Sequence, residues 1–95
     1  MSTYKLKLTT EKESELVDIT ARVKRCVAAD GTKDGICSVF SQSPDAGLST
    51  SSAIAPVPSI SVPIVDGRLM LGSGQGLFLA EASGPQDRSV LVTVY

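Results

Sequence analysis

The sequence contains no histidine and no tryptophan among its 95 residues. The chain therefore lacks the side chain that most often serves as a general base or metal ligand near neutral pH. The aromatic residues are limited to Tyr4, Phe40, Phe78 and Tyr95, which are too few for a surface on which nucleic-acid bases stack. Composition alone thus disfavours histidine-dependent catalysis and binding of single-stranded nucleic acid by stacking.

The net charge is close to zero, and the chain has only two cysteines. The formal net charge is −1, and the basic residues form no block that would attract nucleic acid or an anionic membrane. Cys26 and Cys37 lie far apart without histidine, a pattern that is not a zinc site and is typical of small buried side chains in a reducing compartment. The sequence has no apolar signal core and no membrane-length apolar run, which predicts a cytoplasmic location. We expect no metal and no cofactor.

Alternation of apolar and polar residues predicts most of the strands. The predicted strands are residues 4–8, 16–19, 35–40, 60–65, 68–71, 77–81 and 89–95. Asp66 and Gly67 lie between two of them and are expected to form a two-residue hairpin turn, since Asp-Gly tolerates the positive φ angles that this turn requires. Residues 82–88 are predicted to form a turn.

One helix is predicted after the second strand. Thr20 is expected to cap it, and Val23, Cys26 and Val27 are spaced for one buried face. Gly31 is expected to end it in the left-handed conformation. Many strands with one helix indicate an α+β domain, mostly antiparallel sheet, spanning residues 1–95.

Residues 41–61 are rich in serine, alanine and proline. By composition they form a flexible link, although Leu48 and Ile54 indicate that parts of the segment pack. A weak strand is predicted over residues 46–52.

Three groups of residues invite a functional interpretation. The glycine-rich run 72–76 follows a strand, but it lacks a P-loop lysine and leads into another strand, so we interpret it as a kink or bulge rather than a phosphate loop. The acidic residues in 11–18 are interpreted as a solvated charge run. Glu81 ends a predicted strand, and the sequence does not decide whether it faces a pocket or water.

The second half of the chain carries a specific pattern. Residues 62–81 read VPIVDGRLMLGSGQGLFLAE, and they resemble the V-P-V-x-D-G-x-L-x-L-G-T-W-Q-x-I-F-L-x-E pattern of the YjbQ family of secondary thiamine-phosphate synthase-like proteins. Residues 84–94, 17–20 and 34–40 also resemble segments of that family. The resemblance implies a YjbQ-like fold that assembles as a trimer, with a histidine-rich active site near the subunit boundaries.

The site motif of the family, F-x-x-H-T-T-A-A-L-T-I-N-E, is altered here. The resemblance places Ser43 at the family histidine, Pro44 and Asp45 at its threonines, Ser52 at its glutamate and Gly74 at its tryptophan. The segment that follows in the family, with an aspartate and further histidines, has no counterpart, so we expect an internal deletion near residues 52–58. Fold motifs are retained while site residues are lost, which favours an engineered variant over a natural degenerate paralogue.

The sequence therefore predicts a non-catalytic homotrimer that serves as a scaffold or building block, either alone or as the unit of a larger assembly. We expect it to bind neither nucleic acid nor membrane. One alternative is residual thiamine-phosphate-synthase-like activity, with Asp45 and Arg68 as replacement base and anion site. Another is a module that binds a small anion or phosphate without chemistry. A monomer in which residues 41–61 fold over the sheet is the alternative to the trimer.

Overall fold

A computed structural model describes residues 1–95. The elements in chain order are β1 (Ser2–Thr9), β2 (Glu15–Asp18), α1 (Thr20–Asp30), β3 (Gly35–Ser41), β4 (Ala46–Ser49), β5 (Ser59–Val65), β6 (Arg68–Leu69), β7 (Phe78–Glu81) and β8 (Asp87–Val94). The helix has 11 residues, and no helix of the structure combines the length and hydrophobicity needed to cross a membrane.

The strands form two antiparallel sheets. A five-stranded sheet has the order β1-β8-β3-β5-β6, and a three-stranded sheet has the order β2-β7-β4. Every strand pair in both sheets is antiparallel. The prediction of an α+β fold with one helix and mostly antiparallel sheet is therefore confirmed.

A single core of 15 buried apolar residues lies between the two sheets and the helix. The five-stranded sheet contributes alternate residues such as Val62, Val90 and Val92, while α1 contributes Val23 and Val27. The three-stranded sheet contributes further residues to the same core. Because these residues share one face of the larger sheet, α1 and the smaller sheet both pack on that inner face and leave the opposite face outward.

The hairpin between β5 and β6 has the predicted turn. Asp66 and Gly67 have φ angles of 54° and 74°, and Val65 pairs with Arg68 across the turn. Positive φ at both loop residues is what a two-residue turn needs to match the right-handed twist of the strands.

The start of the helix differs from the prediction. Ile19 occupies the capping position, no side chain caps the helix, and Thr20 is the first helical residue. The Thr20 hydroxyl donates to Asp18 Oδ1 at 2.6 Å and accepts from the Leu77 amide at 2.8 Å, so it joins the helix to the neighbouring strands instead. The helix ends at Gly31 as predicted, with φ 78° in the left-handed conformation.

Strand β3 buries alternate residues of the apolar run that its sequence contains. Cys37 and Val39 are fully buried, whereas Phe40 is 45% exposed, because successive side chains point to opposite faces and the Val39 side chain takes the inner one.

Both cysteines are free, with Cys37 buried and Cys26 half-buried. Burial raises the pKa of the Cys37 thiol to about 11, which keeps it protonated and supports a packing role.

The serine- and proline-rich segment is partly ordered into the sheet. Strand β4 is shorter than the predicted 46–52, and Val57 pairs with Leu48 through two backbone hydrogen bonds of 2.6 and 2.8 Å. Pro56 and Pro58 flank Val57 and offer no N–H groups, so the segment closes the β4 edge without presenting a new one. Ile54, predicted to help this segment pack, is 54% exposed.

Candidate functional site

A buried ion pair joins the ends of β7 and β8. Glu81 and Arg88 are only 4% and 6% exposed. The Arg88 Nε donates to Glu81 Oε1 at 2.8 Å, and its Nη2 donates to Glu81 Oε2 at 2.6 Å. This bidentate geometry is the strongest that a guanidinium and a carboxylate adopt.

Three further groups donate to the Glu81 carboxylate. The hydroxyl of Thr10, the residue directly after β1, donates to Oε1 at 2.6 Å. The backbone amides of Ala82 and Ser83 donate to Oε2 at 3.0 and 3.2 Å. Five donors therefore surround a carboxylate with about four lone-pair sites, which leaves it saturated.

The electrostatics follow from this geometry. The hydrogen bonds from Arg88 lower the pKa of the Glu81 carboxyl from 4.5 to about 2, although burial acts in the opposite direction. The Glu81 carboxylate raises the pKa of the Arg88 guanidinium in turn. A general base works best with a pKa near the working pH and with a free lone pair. Glu81 has neither, so the pair is built for stability rather than for proton transfer.

Asp45 connects this pair to the surface. Arg88 Nη1 lies 2.8 Å from Asp45 Oδ1, and the Asp45 side chain is 40% exposed. Asp45 lines an open groove of about 420 Å³ together with Ser43 and Pro44. The structure therefore brings three of the five altered positions into one groove beside the ion pair.

The other two altered positions lie outside the groove. Ser52 is exposed after β4, and Gly74 is exposed in the loop before β7.

The glycine-rich run 72–76 forms a turn, whereas the sequence predicts a kink or bulge in a strand. The Gln75 side chain accepts from the Gly72 amide at 2.7 Å, and the Gly76 amide donates to the Thr50 carbonyl at 3.0 Å. These two amides are thus occupied within the protein, which fits the structural interpretation of the loop rather than a phosphate site.

The hypothesised partnership of Asp45 with Arg68 is not found. Arg68 lines a separate groove with Lys24 of α1, and the partner of Asp45 is Arg88. No three His, Cys, Asp or Glu side chains group in a way that could hold a metal ion. The acidic residues of the 11–18 run are exposed or half-exposed, as predicted for a solvated charge run.

The sequence does not identify two residues of the cluster. It does not decide whether Glu81 faces a pocket or water, and it predicts a turn over residues 82–88 that includes Arg88. Strand β8 in fact begins at Asp87, which puts Arg88 on the same inward face as Val90 and Val92.

Comparison with known sequences gives a consistent result. The family described as UPF0047 protein YjbQ-like matches residues 4–57 and 50–95. A UPF0047 protein of Methanothermobacter thermautotrophicus is 25% identical over 129 aligned positions, which cover 97% of this chain and 90% of that protein. A UPF0047 protein of Methanocaldococcus jannaschii is also 25% identical, over 96% of this chain and 92% of that protein.

Solved structures resemble the whole fold. A protein of C. acetobutylicum superposes with a TM-score of 0.91 at 26% identity and covers 98% of both chains. A YbjQ-like protein of unknown function from Sulfolobus solfataricus superposes with a TM-score of 0.90 at 22% identity, over 98% of this chain and 95% of that one. Because the family pattern matches nearly the whole chain, this protein belongs to the UPF0047 YjbQ-like family.

Proposed function

We propose that this protein is a non-catalytic member of its family that associates with copies of itself, as a homotrimer, and serves as an engineered scaffold or assembly building block. The observation that carries the proposal is the five-stranded sheet, which is covered on one face only. The groove lined by the altered positions Ser43, Pro44 and Asp45 supports the non-catalytic part of the proposal.

The groove beside the ion pair offers no acid–base pair. Ser43 and Pro44 cannot accept a proton near neutral pH, and the Asp45 carboxylate is held by Arg88 at 2.8 Å. A serine nucleophile needs an adjacent base, and the chain has no histidine to provide one. The 129-position alignment is longer than this 95-residue chain, so the relative carries residues that this chain lacks. Such a loss is what shortening by design would produce.

The uncovered face supports the self-association half. Residues 41–61 do not cover it, because Ala46 and Leu48 belong to the inner core. That placement weakens the alternative of a monomer in which this segment folds over the sheet. A sheet face with exposed apolar side chains favours association or aggregation unless a partner covers it, and a closed cyclic assembly covers such faces without leaving a sticky surface.

The solution mass tests the self-association. Light scattering on the purified protein at micromolar concentration is expected to give about 30 kDa, the mass of three chains of 9.9 kDa each. A mass near that of one chain would reject the proposal.

An activity assay tests the other half. The resemblance implies thiamine phosphate synthesis, and we expect none above background, since each missing acid–base group typically contributes 10²–10⁴-fold. Turnover that survives repurification and disappears in an Asp45→Asn variant would contradict a non-catalytic role.

A further inference from the structure

The uncovered face of the five-stranded sheet has an unusual composition. We call it the outer sheet face and define it by the outward residues of its three central strands other than Asp87, which begins β8 at the end of the sheet and accepts a hydrogen bond from the Thr9 hydroxyl. The face consists of Ile36, Ser38, Phe40, Ser59, Ser61, Pro63, Val65, Ser89, Leu91 and Thr93. All ten are at least partly exposed, and none carries a charge. A solvent-facing surface of ten residues ordinarily carries about three charges.

Charges lie at the margins of this face, with Asp87 at the start of β8 and Arg68 on the edge strand β6. Lys5 and Lys7 are exposed on β1, the outermost strand on that side. Within the face, Phe40 and Leu91 are cross-strand partners, so its one aromatic side chain lies beside a large aliphatic one. An uncharged centre with an aromatic residue and a polar rim is the anatomy of a protein–protein interface.

The composition also indicates what covers the face. Residues near a rotation axis meet their own copies, so any charge there would face an identical charge and repel it. Hydroxyl groups avoid this problem because each can donate and accept a hydrogen bond. The face carries Ser38, Ser61 and Thr93 in neighbouring registers, and Thr93 already shares a 3.1 Å hydroxyl–hydroxyl bond with Thr3.

The area of the face suits such a contact. Three strands spaced about 4.8 Å apart, each of roughly seven residues at about 3.3 Å rise, give a plan area of about 330 Å². This is about two fifths of the roughly 800 Å² that each partner contributes to a standard interface. The corrugated side chains and the Lys5 and Lys7 stems at the rim add to it.

The geometry points to the outer sheet face as the surface that meets other copies of this chain around a rotation axis. This inference rests on the proposed self-association and adds where it occurs. A different protein as the occupant would have no need of a charge-free surface, since it could supply complementary charges.

The test compares charged substitutions inside and outside the face. Phe40→Glu and Ser61→Asp place identical charges on every copy at the centre of the face, so both variants are expected to fall from about 30 kDa to about 10 kDa by light scattering. Ile54→Glu changes an apolar side chain of similar exposure on a loop outside the face, and it is expected to keep the wild-type mass. Circular dichroism checks that each variant is folded. If Phe40→Glu does not fold, the mass of Ser61→Asp decides the test.

Each outcome separates the inference from the proposal on which it rests. If folded Ser61→Asp and Phe40→Glu keep the wild-type mass, the assignment of the contact to the outer sheet face is wrong, while the proposed self-association stands. If Ile54→Glu dissociates as readily, the effect is not specific to the face and the inference is equally rejected. If the wild-type protein itself has the mass of one chain, the proposed function fails first.

Discussion

Replacing Arg88 with methionine is expected to lower the free energy of unfolding by about 3–5 kcal/mol, because it leaves a buried carboxylate without its charged partner. Glu81 is 4% exposed and receives two of its hydrogen bonds from Arg88. Native domains are stable by about 5–15 kcal/mol. The variant should therefore lose a large part of its stability, measured by urea denaturation at pH 7 and a fixed chain concentration.

Arg68→Met is the matched control. It makes the same chemical change at an exposed residue that forms no ion pair, and surface substitutions of this kind usually change stability by about 0.5 kcal/mol or less. Equal losses in the Arg88→Met and Arg68→Met variants would show that the buried pair contributes nothing of its own.

A double substitution separates two contributions to the lost stability, namely the missing attraction within the ion pair and the cost of a buried carboxylate without a partner. Replacing a buried ion pair by apolar residues of similar volume is often close to neutral. Arg88→Met combined with Glu81→Leu should thus be more stable than Arg88→Met alone. Full recovery is not expected, because Asp45 loses its partner and the Thr10 hydroxyl and the two backbone amides that donate to Glu81 lose their acceptor.

The fold could be predicted largely from local patterns. Alternation located the strands, and the Asp66–Gly67 pair fixed the hairpin because few residues tolerate positive φ. The exposure of Phe40 could not be predicted, because a run of apolar residues does not show which alternate side chains face the core. The end of the 41–61 segment was also unpredictable, since the bridge between Leu48 and Val57 depends on tertiary packing.

The buried cluster could have been found from strand parity. Glu81 lies two residues after the buried Leu79, and Arg88 lies two residues before the buried Val90. Side chains two apart on a strand share a face, so the sequence directs opposite charges inward at the two ends of one turn. What the sequence cannot give is the third partner, because Asp45 reaches Arg88 through the pairing of β4 with β7.

The same cluster predicts a specific acid sensitivity. The folded-state pKa of Glu81 is about 2, against an ordinary value of 4.5. Between these two values the unfolded chain binds a proton that the folded chain does not, so the free energy of unfolding falls as the pH falls through this window. Above about pH 4.5 the contribution is complete, and it amounts to about 3 kcal/mol for a difference of this size.

Glu81→Gln isolates this contribution, because glutamine does not titrate. Hydrogen bonds from Thr20 and from Thr32 also lower the pKa values of Asp18 and Asp30, and these act in the same direction in both proteins. We therefore expect the wild-type protein to lose more stability than the variant between pH 5 and pH 2 in urea denaturation at one chain concentration, although the variant starts from a lower value at pH 7. Parallel pH profiles for the two proteins would mean that Glu81 is not held ionised by Arg88 in the folded state.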